Sequence, residues 1–128
     1  MKTLKSIDAN TIPFHDAIVL EHTIKQNEDG VTTLLLKIRL LLEEINELPN
    51  DYKSNFSETG NTVIHFLNCN QINYSLFCNR SNIDEIDFIE AIPENYSKEK
   101  SRTIHFKINL TSGSIIECFA EKWALHKS

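Results

Sequence analysis

The sequence predicts a mainly β domain: an antiparallel sandwich or partly closed barrel of about six strands, or α+β with one short helix. Three observations carry this expectation. The most apolar run, residues 31–42, puts Leu34, Leu36, Ile38, Leu40 and Leu42 on one parity and Lys37 and Arg39 on the other. That period of two is what a strand with one buried face requires. Near the C-terminus Ile104, Phe106, Ile108 and Leu110 alternate with His105, Lys107 and Asn109, ahead of Thr111-Ser112-Gly113. Those three residues suit a hairpin loop with Gly113 in the left-handed conformation. Finally, Asn27-Glu28-Asp29-Gly30 stands between two alternating stretches, and Asp-Gly supplies a residue that tolerates positive φ.

Residues 1–13 read as a lead-in, with Pro13 holding Ile12 extended. Phe14-His15-Asp16-Ala17 opens a first strand, Ala17 to about Lys25, with Ile18, Leu20, His22 and Ile24 on one side and Glu21, Thr23 and Lys25 on the other. The turn at 26–30 makes a hairpin with the central run. Leu35, Ile38, Leu42, Ile45 and Leu48 also keep helical spacing. The β-branched Val31, Thr32 and Thr33 favour a strand through about residue 41. One or two helical turns, Leu41 to Leu48, then end before Pro49.

Residues 43–60 are an acidic excursion pinned by Tyr52 and Phe56. Asn61 to Cys69 is a strand with apolar residues on both faces, hence interior or covered on both sides. Ile72 to Phe77 is a further short strand. Ile83 to Ile92 follows, with Ile86, Phe88 and Ile92 in phase, then a hydrophilic connection from Glu94 to Ser101. In the last hairpin a three-residue loop pairs Leu110 with Ser114, Ile108 with Ile116, Phe106 with Cys118 and Lys107 with Glu117. A two-residue turn would put Glu117 on the core face, at a cost of order kcal/mol. Trp123 to Ser128 extends the final strand.

A chain of 128 residues predicts one domain, residues 1–128. Its net charge of −5 weighs against nucleic acid, which needs a positive surface. Three cysteines, Cys69, Cys78 and Cys118, are an odd number, so free thiols in a reducing, cytoplasmic setting are expected. The N-terminus lacks an apolar secretion core, and no run reaches the length that spans a bilayer. Neither a membrane nor a cofactor is implied.

His15-Asp16 is the sole His-Asp dipeptide. With His22 it marks a candidate pocket for a small ligand or an enzyme. The structural alternative gives Asp16 to nearby backbone N–H groups and His15 to a half-buried edge. His22, His65, His105 and the cysteines lack the short spacings that zinc sites prefer. Cys118 and His65 form a conceivable nucleophile pair only if the fold brings them together. Gly30, Gly60 and Gly113, each in a turn or loop, leave no phosphate-cradling loop or nucleophile elbow. The sequence thus leans away from an enzyme. The excursion, with Glu43, Glu44, Glu47 and Asp51, and the acidic 84–90 segment are candidate surfaces for a basic protein partner.

Phe14-His15-Asp16-Ala17, the Val63-Ile64-His65-Phe66 strand and the terminal stretch Thr111-Ser-Gly-Ser-Ile-Ile-Glu-Cys118 together resemble a loose group of small, uncharacterised bacterial proteins. These share an F-H-D-A/S first strand and a T-x-G-x-I hairpin. Similar small acidic β-rich proteins serve as immunity proteins beside bacterial toxins. The resemblance therefore implies an intracellular, non-catalytic binding module and brings no catalytic residues with it. A structural domain that oligomerises through an edge strand is a third expectation.

Overall fold

Seven strands form one antiparallel sheet that curls back on itself. A computed structural model describes residues 1–77, 83–95 and 102–127. The elements run β1 (Lys2–Leu4), α1 (Asp8–Thr11), β2 (Ile18–Gln26), β3 (Thr32–Arg39), α2 (Leu42–Asn46), α3 (Asn50–Lys53), β4 (Asn61–Ser75), β5 (Asp84–Asn95), β6 (Arg102–Leu110) and β7 (Ile115–Lys127). Their spatial order is β1-β7-β4-β3-β2-β5-β6, and β6 pairs again with β7. Closure turns the sheet into a partly closed barrel. Its seam is the β2–β5 ladder, which holds only Ile18 against Glu85 and Val19 against Asp84.

The central run folds as its alternation requires. Leu34, Leu36 and Ile38 are fully buried and face Phe66, Ile64 and Thr62 across β4. The row continues from Phe66 to Trp123 on β7 and from there to Leu4 on β1. Trp123 packs on Phe106 at 5.1 Å, Phe66 at 6.1 Å and Phe14 at 6.0 Å between ring centroids. Its indole N–H donates to the Lys5 carbonyl at 3.2 Å, so its polar atom is satisfied while its bulk fills the centre.

The terminal hairpin keeps the expected register, Lys107 against Glu117 and Phe106 against Cys118, with Gly113 at φ +91°. The helical turns after β3 are present as α2. Other expectations need correction. The lead-in carries β1 and α1, tied down by the buried Asp8, which accepts from the Lys5 N–H at 2.7 Å and the Tyr52 hydroxyl at 3.1 Å. Phe14 to Ala17 is a turn before β2 rather than the strand's opening. The two strands expected between Asn61 and Phe77 are one, β4. It bends where Asn68 takes φ +55° and the register slips between Cys69 and Gln71. β5 runs on through Pro93, which is tolerated because β5 has β6 on one side only at that point. The rest of the expected connection, 96–101, lies outside the described residues.

A second slip, between Ile86 and Phe88, reverses the phase of β5. Ile89 turns inward, whereas Phe88 and Ile92, expected in phase with Ile86, stand outside at 46% and 47% exposure. On β2, His22 and Ile24 face the ring interior opposite Leu36 and Leu34. The ring is open there, so Ile24 remains 48% exposed.

Residues 41–59 leave and rejoin the barrel at one point. The Leu40 N–H donates to the Gly60 carbonyl at 2.9 Å, and Gly60 sits at φ +89°, where a Cβ would run into the Leu40 carbonyl oxygen. Gly60→Ala is therefore expected to destabilise the fold by about 2 kcal/mol or more. A fall in the urea midpoint at unchanged slope would report it, and a midpoint equal to that of the parent chain would refute the clash.

Candidate functional site

The excursion is held from inside and bare outside. Ile45 and Phe56 are buried, with Leu48 and Tyr52 half-buried against the same core. The Thr62 hydroxyl donates to the Asn55 carbonyl at 2.7 Å, and the Asn55 amide donates to the Asp51 carbonyl at 2.7 Å. These bonds satisfy polar groups brought against the barrel. The outward side carries Leu41 at 55% and Leu42 at 52% exposure, beside exposed Glu43 and Glu47 and half-buried Glu44. Glu43 and Glu44 lie in the first turn of α2, where negative charge suits the helix dipole.

Asp51 stands apart from these glutamates. It pairs with Lys2 at 2.8 Å, and that hydrogen bond holds its carboxyl below the usual range. The Lys2 ammonium also lies 5.0 Å from the centre of the Tyr52 ring. Of these four acids, Glu43, Glu44 and Glu47 have no ion-pair partner within 4.0 Å among the described residues.

Period two carried past Leu40 places Leu42 on the buried parity of the central run. Helix α2 begins at Leu42, and the change of period turns it out. Leu40-Leu41-Leu42 gave no signal of this, since Leu34-Leu35-Leu36 shows the same pattern within a regular strand.

His15 and Asp16 come together, but at the surface. His15 Nε2 lies 3.4 Å from Asp16 Oδ1, and Nδ1 donates to the Asp87 carbonyl at 3.0 Å. The exposed His15 does not fill the half-buried edge expected for it, and among the described residues no backbone N–H donates to the Asp16 carboxylate. What the motif does is conformational. Asp16 takes φ +68°, a region that short polar residues tolerate. Its N–H donates to the Ile86 carbonyl at 2.9 Å, and buried Phe14 and Ala17 flank the turn.

His22 is elsewhere. Its ring lies 5.1 Å from that of Tyr74, and it lines a cleft of about 400 Å³ with Leu20, Leu76, Phe77 and Asp84, among others. His15 and Asp16 are not part of that lining.

Within the acidic 84–90 segment, Asp84 is engaged by the terminal hairpin. Ser112 donates to it through its hydroxyl at 2.6 Å and its N–H at 3.2 Å. Cys118 faces the barrel interior and His65 the exterior, so they form no nucleophile pair. The buried Cys118 thiol is pushed far up, first by its hydrogen bond with Cys69 and then by burial. Cys78 lies outside the described residues. On the outer face His105 stacks on Phe119 at 4.3 Å and sets Nε2 3.0 Å from Glu117 Oε2. Among the described residues no three His, Cys, Asp or Glu side chains gather closely enough to hold a metal ion. No helix there is long and apolar enough to cross a membrane.

No family model matches the chain, and no curated protein matches it in sequence. The resemblance noted above therefore stands on its short motifs alone.

Two outcomes follow. The His15 imidazole is held above its ordinary value, first by its bond to the Asp87 carbonyl and then by Asp16. Its stabilising effect is fully present below the unfolded value and fades as pH rises through the folded one. An NMR titration should show a lower His15 value in Asp16→Asn, and an unchanged value would sink the assignment. Asp84→Ala should cost about 1–3 kcal/mol by unpairing Ser112, read as a lowered thermal midpoint.

Proposed function

We propose that the chain is a non-catalytic protein-binding module whose contact surface is the 41–59 excursion and whose partner is basic. One observation carries the reading: Leu41 and Leu42, adjacent and each more than half exposed, stand beside three glutamates on a rigidly anchored loop. Apolar anchors rimmed by charge are the anatomy of an interface centre, the anchors supplying affinity and the charges register and on-rate. An excursion already fixed by Gly60, Phe56 and Thr62 loses little entropy on binding.

The immunity-like resemblance points the same way. A reducing cytoplasmic location suits Cys69 and Cys118, both buried free thiols. The cleft at His22 supports a small-ligand reading less well, because His15 and Asp16 lie outside it.

The test is photocrosslinking from position 42 in an extract of the source cell, with the captured protein identified. The triple variant Glu43→Lys/Glu44→Lys/Glu47→Lys should weaken its capture at least tenfold, and Leu42→Ala should cost more than about 1 kcal/mol of affinity. Equal capture by parent and triple variant ends the reading.

A further inference from the structure

The acidic total conceals a face of opposite sign. Three adjacent cross-strand rows lie on the outer surface of β1–β7–β4–β3–β2. One runs Thr23–Leu35–His65–Ala124–Thr3, and the next Glu21–Lys37–Val63–His126. The third takes Lys25 and Thr33 from β2–β3 and Leu67 and Lys122 from β4–β7. Three lysines and two histidines therefore share a face with one acid, Glu21, which accepts from the Thr23 hydroxyl at 3.2 Å. Among the described residues none of those lysines has an ion-pair partner within 4.0 Å.

Between the charges the floor is aliphatic: Leu35, Val63 and Leu67 are half-buried and Ala124 fully so. Two depressions of about 210 and 320 Å³ share Lys25 and Leu35 and together run from Lys37 to Val31. At roughly 3.3 Å per residue this groove is about 20 Å long, room for some six extended residues.

We propose that this groove is a docking site for an acidic protein segment that alternates carboxylate and aliphatic side chains. The carboxylates would reach Lys25, Lys37 and Lys122 on the rims while the aliphatic groups cover Leu35, Val63 and Leu67. The face lacks what other polyanions use. No Phe, Tyr or Trp lies on these three rows to stack a base, and the His65 and His126 rings meet edge to face at 5.3 Å; the apolar groups are recessed, whereas a lipid surface is met by protruding ones.

His65 sits at the centre of the floor and adds a second signature. The charged groups that face it are His126 from β7, Lys25 from β2 and the Met1 amino group ahead of β1, while β3 presents Leu35. Burial first, and then those cations, lower its affinity for a proton. A bound carboxylate reverses the second effect, so binding takes up a proton and tightens as pH falls from 7.5 to 5.5. This site is separate from the 41–59 excursion and does not rest on the function proposed for it.

The test titrates the full chain with a blocked ten-residue peptide of alternating Asp and Leu, and with its Lys–Leu counterpart, following the methyl groups of Leu35, Val63 and Leu67 by NMR. The acidic peptide should shift all three saturably. Its affinity should fall at least tenfold in Lys25→Glu/Lys37→Glu, and His65→Gln should flatten the pH dependence while retaining binding at pH 7.5. The proposal is overturned if the Lys–Leu peptide binds equally, if charge reversal changes nothing, or if the shifts centre elsewhere. It is overturned equally if phosphatidylglycerol vesicles or an oligothymidylate bind this face more tightly, or if the same methyl shifts come from self-association on concentrating the chain.

Discussion

The ring depends on the contact of Trp123 with Phe66 and Phe106. These three rings come from β7, β4 and β6, and none of those strands reaches the centre without a local irregularity or a matched hairpin. β7 has Glu121 and Lys122 both exposed between buried Ala120 and Trp123. β4 bends at Asn68 in step with it. The bend lets one 15-residue strand pair with β3 along its first half and with β7 along its whole length. Phe14 closes the cluster from the turn before β2, and the indole bond to Lys5 locks the lead-in beneath it. Interior packing at crystalline density leaves no slack for another arrangement of rings this size.

What was legible in the sequence followed from strict period two. Leu34, Leu36 and Ile38 announced their own burial, and the terminal hairpin announced its register because only one loop length kept Glu117 outside. Bulges erase that signal. One added residue between Ile86 and Phe88 swaps inside for outside beyond it. Parity counted across such a point assigns Phe88 to the core when it belongs to the surface. The lead-in was opaque for another reason: β1 has three residues and α1 four, too few for either period to show.

The candidate surfaces divide along the same line. The acidic excursion is contiguous in the chain, so composition revealed Glu43, Glu44 and Glu47, although not that Lys2 would take Asp51 from the set. The cationic face is assembled from five strands, and its cations come from four of them, one or two from each. No window of sequence contains Lys25, Lys37, His65 and Lys122 together, and a total charge of −5 points away from them. The Phe14–Ala17 motif shows the converse. It looks like chemistry and serves as geometry, an aspartate chosen for a left-handed turn between two buried neighbours.

The β2–β5 seam governs how the ring comes apart. Two residue pairs hold it, with the Asp16 N–H donating to the Ile86 carbonyl and the Ile86 N–H to the Ala17 carbonyl, whereas twelve pairs join β4 to β7. Parting at the weakest ladder leaves every other ladder whole, so the closed ring relaxes into an open, continuous sheet with the β2–β3 hairpin as a flap hinged on β4. In that opened form Leu36 and Ile38 meet water while Trp123 stays dry. Amide exchange in β2 then runs ahead of exchange in β7 by the free energy of unzipping one short ladder.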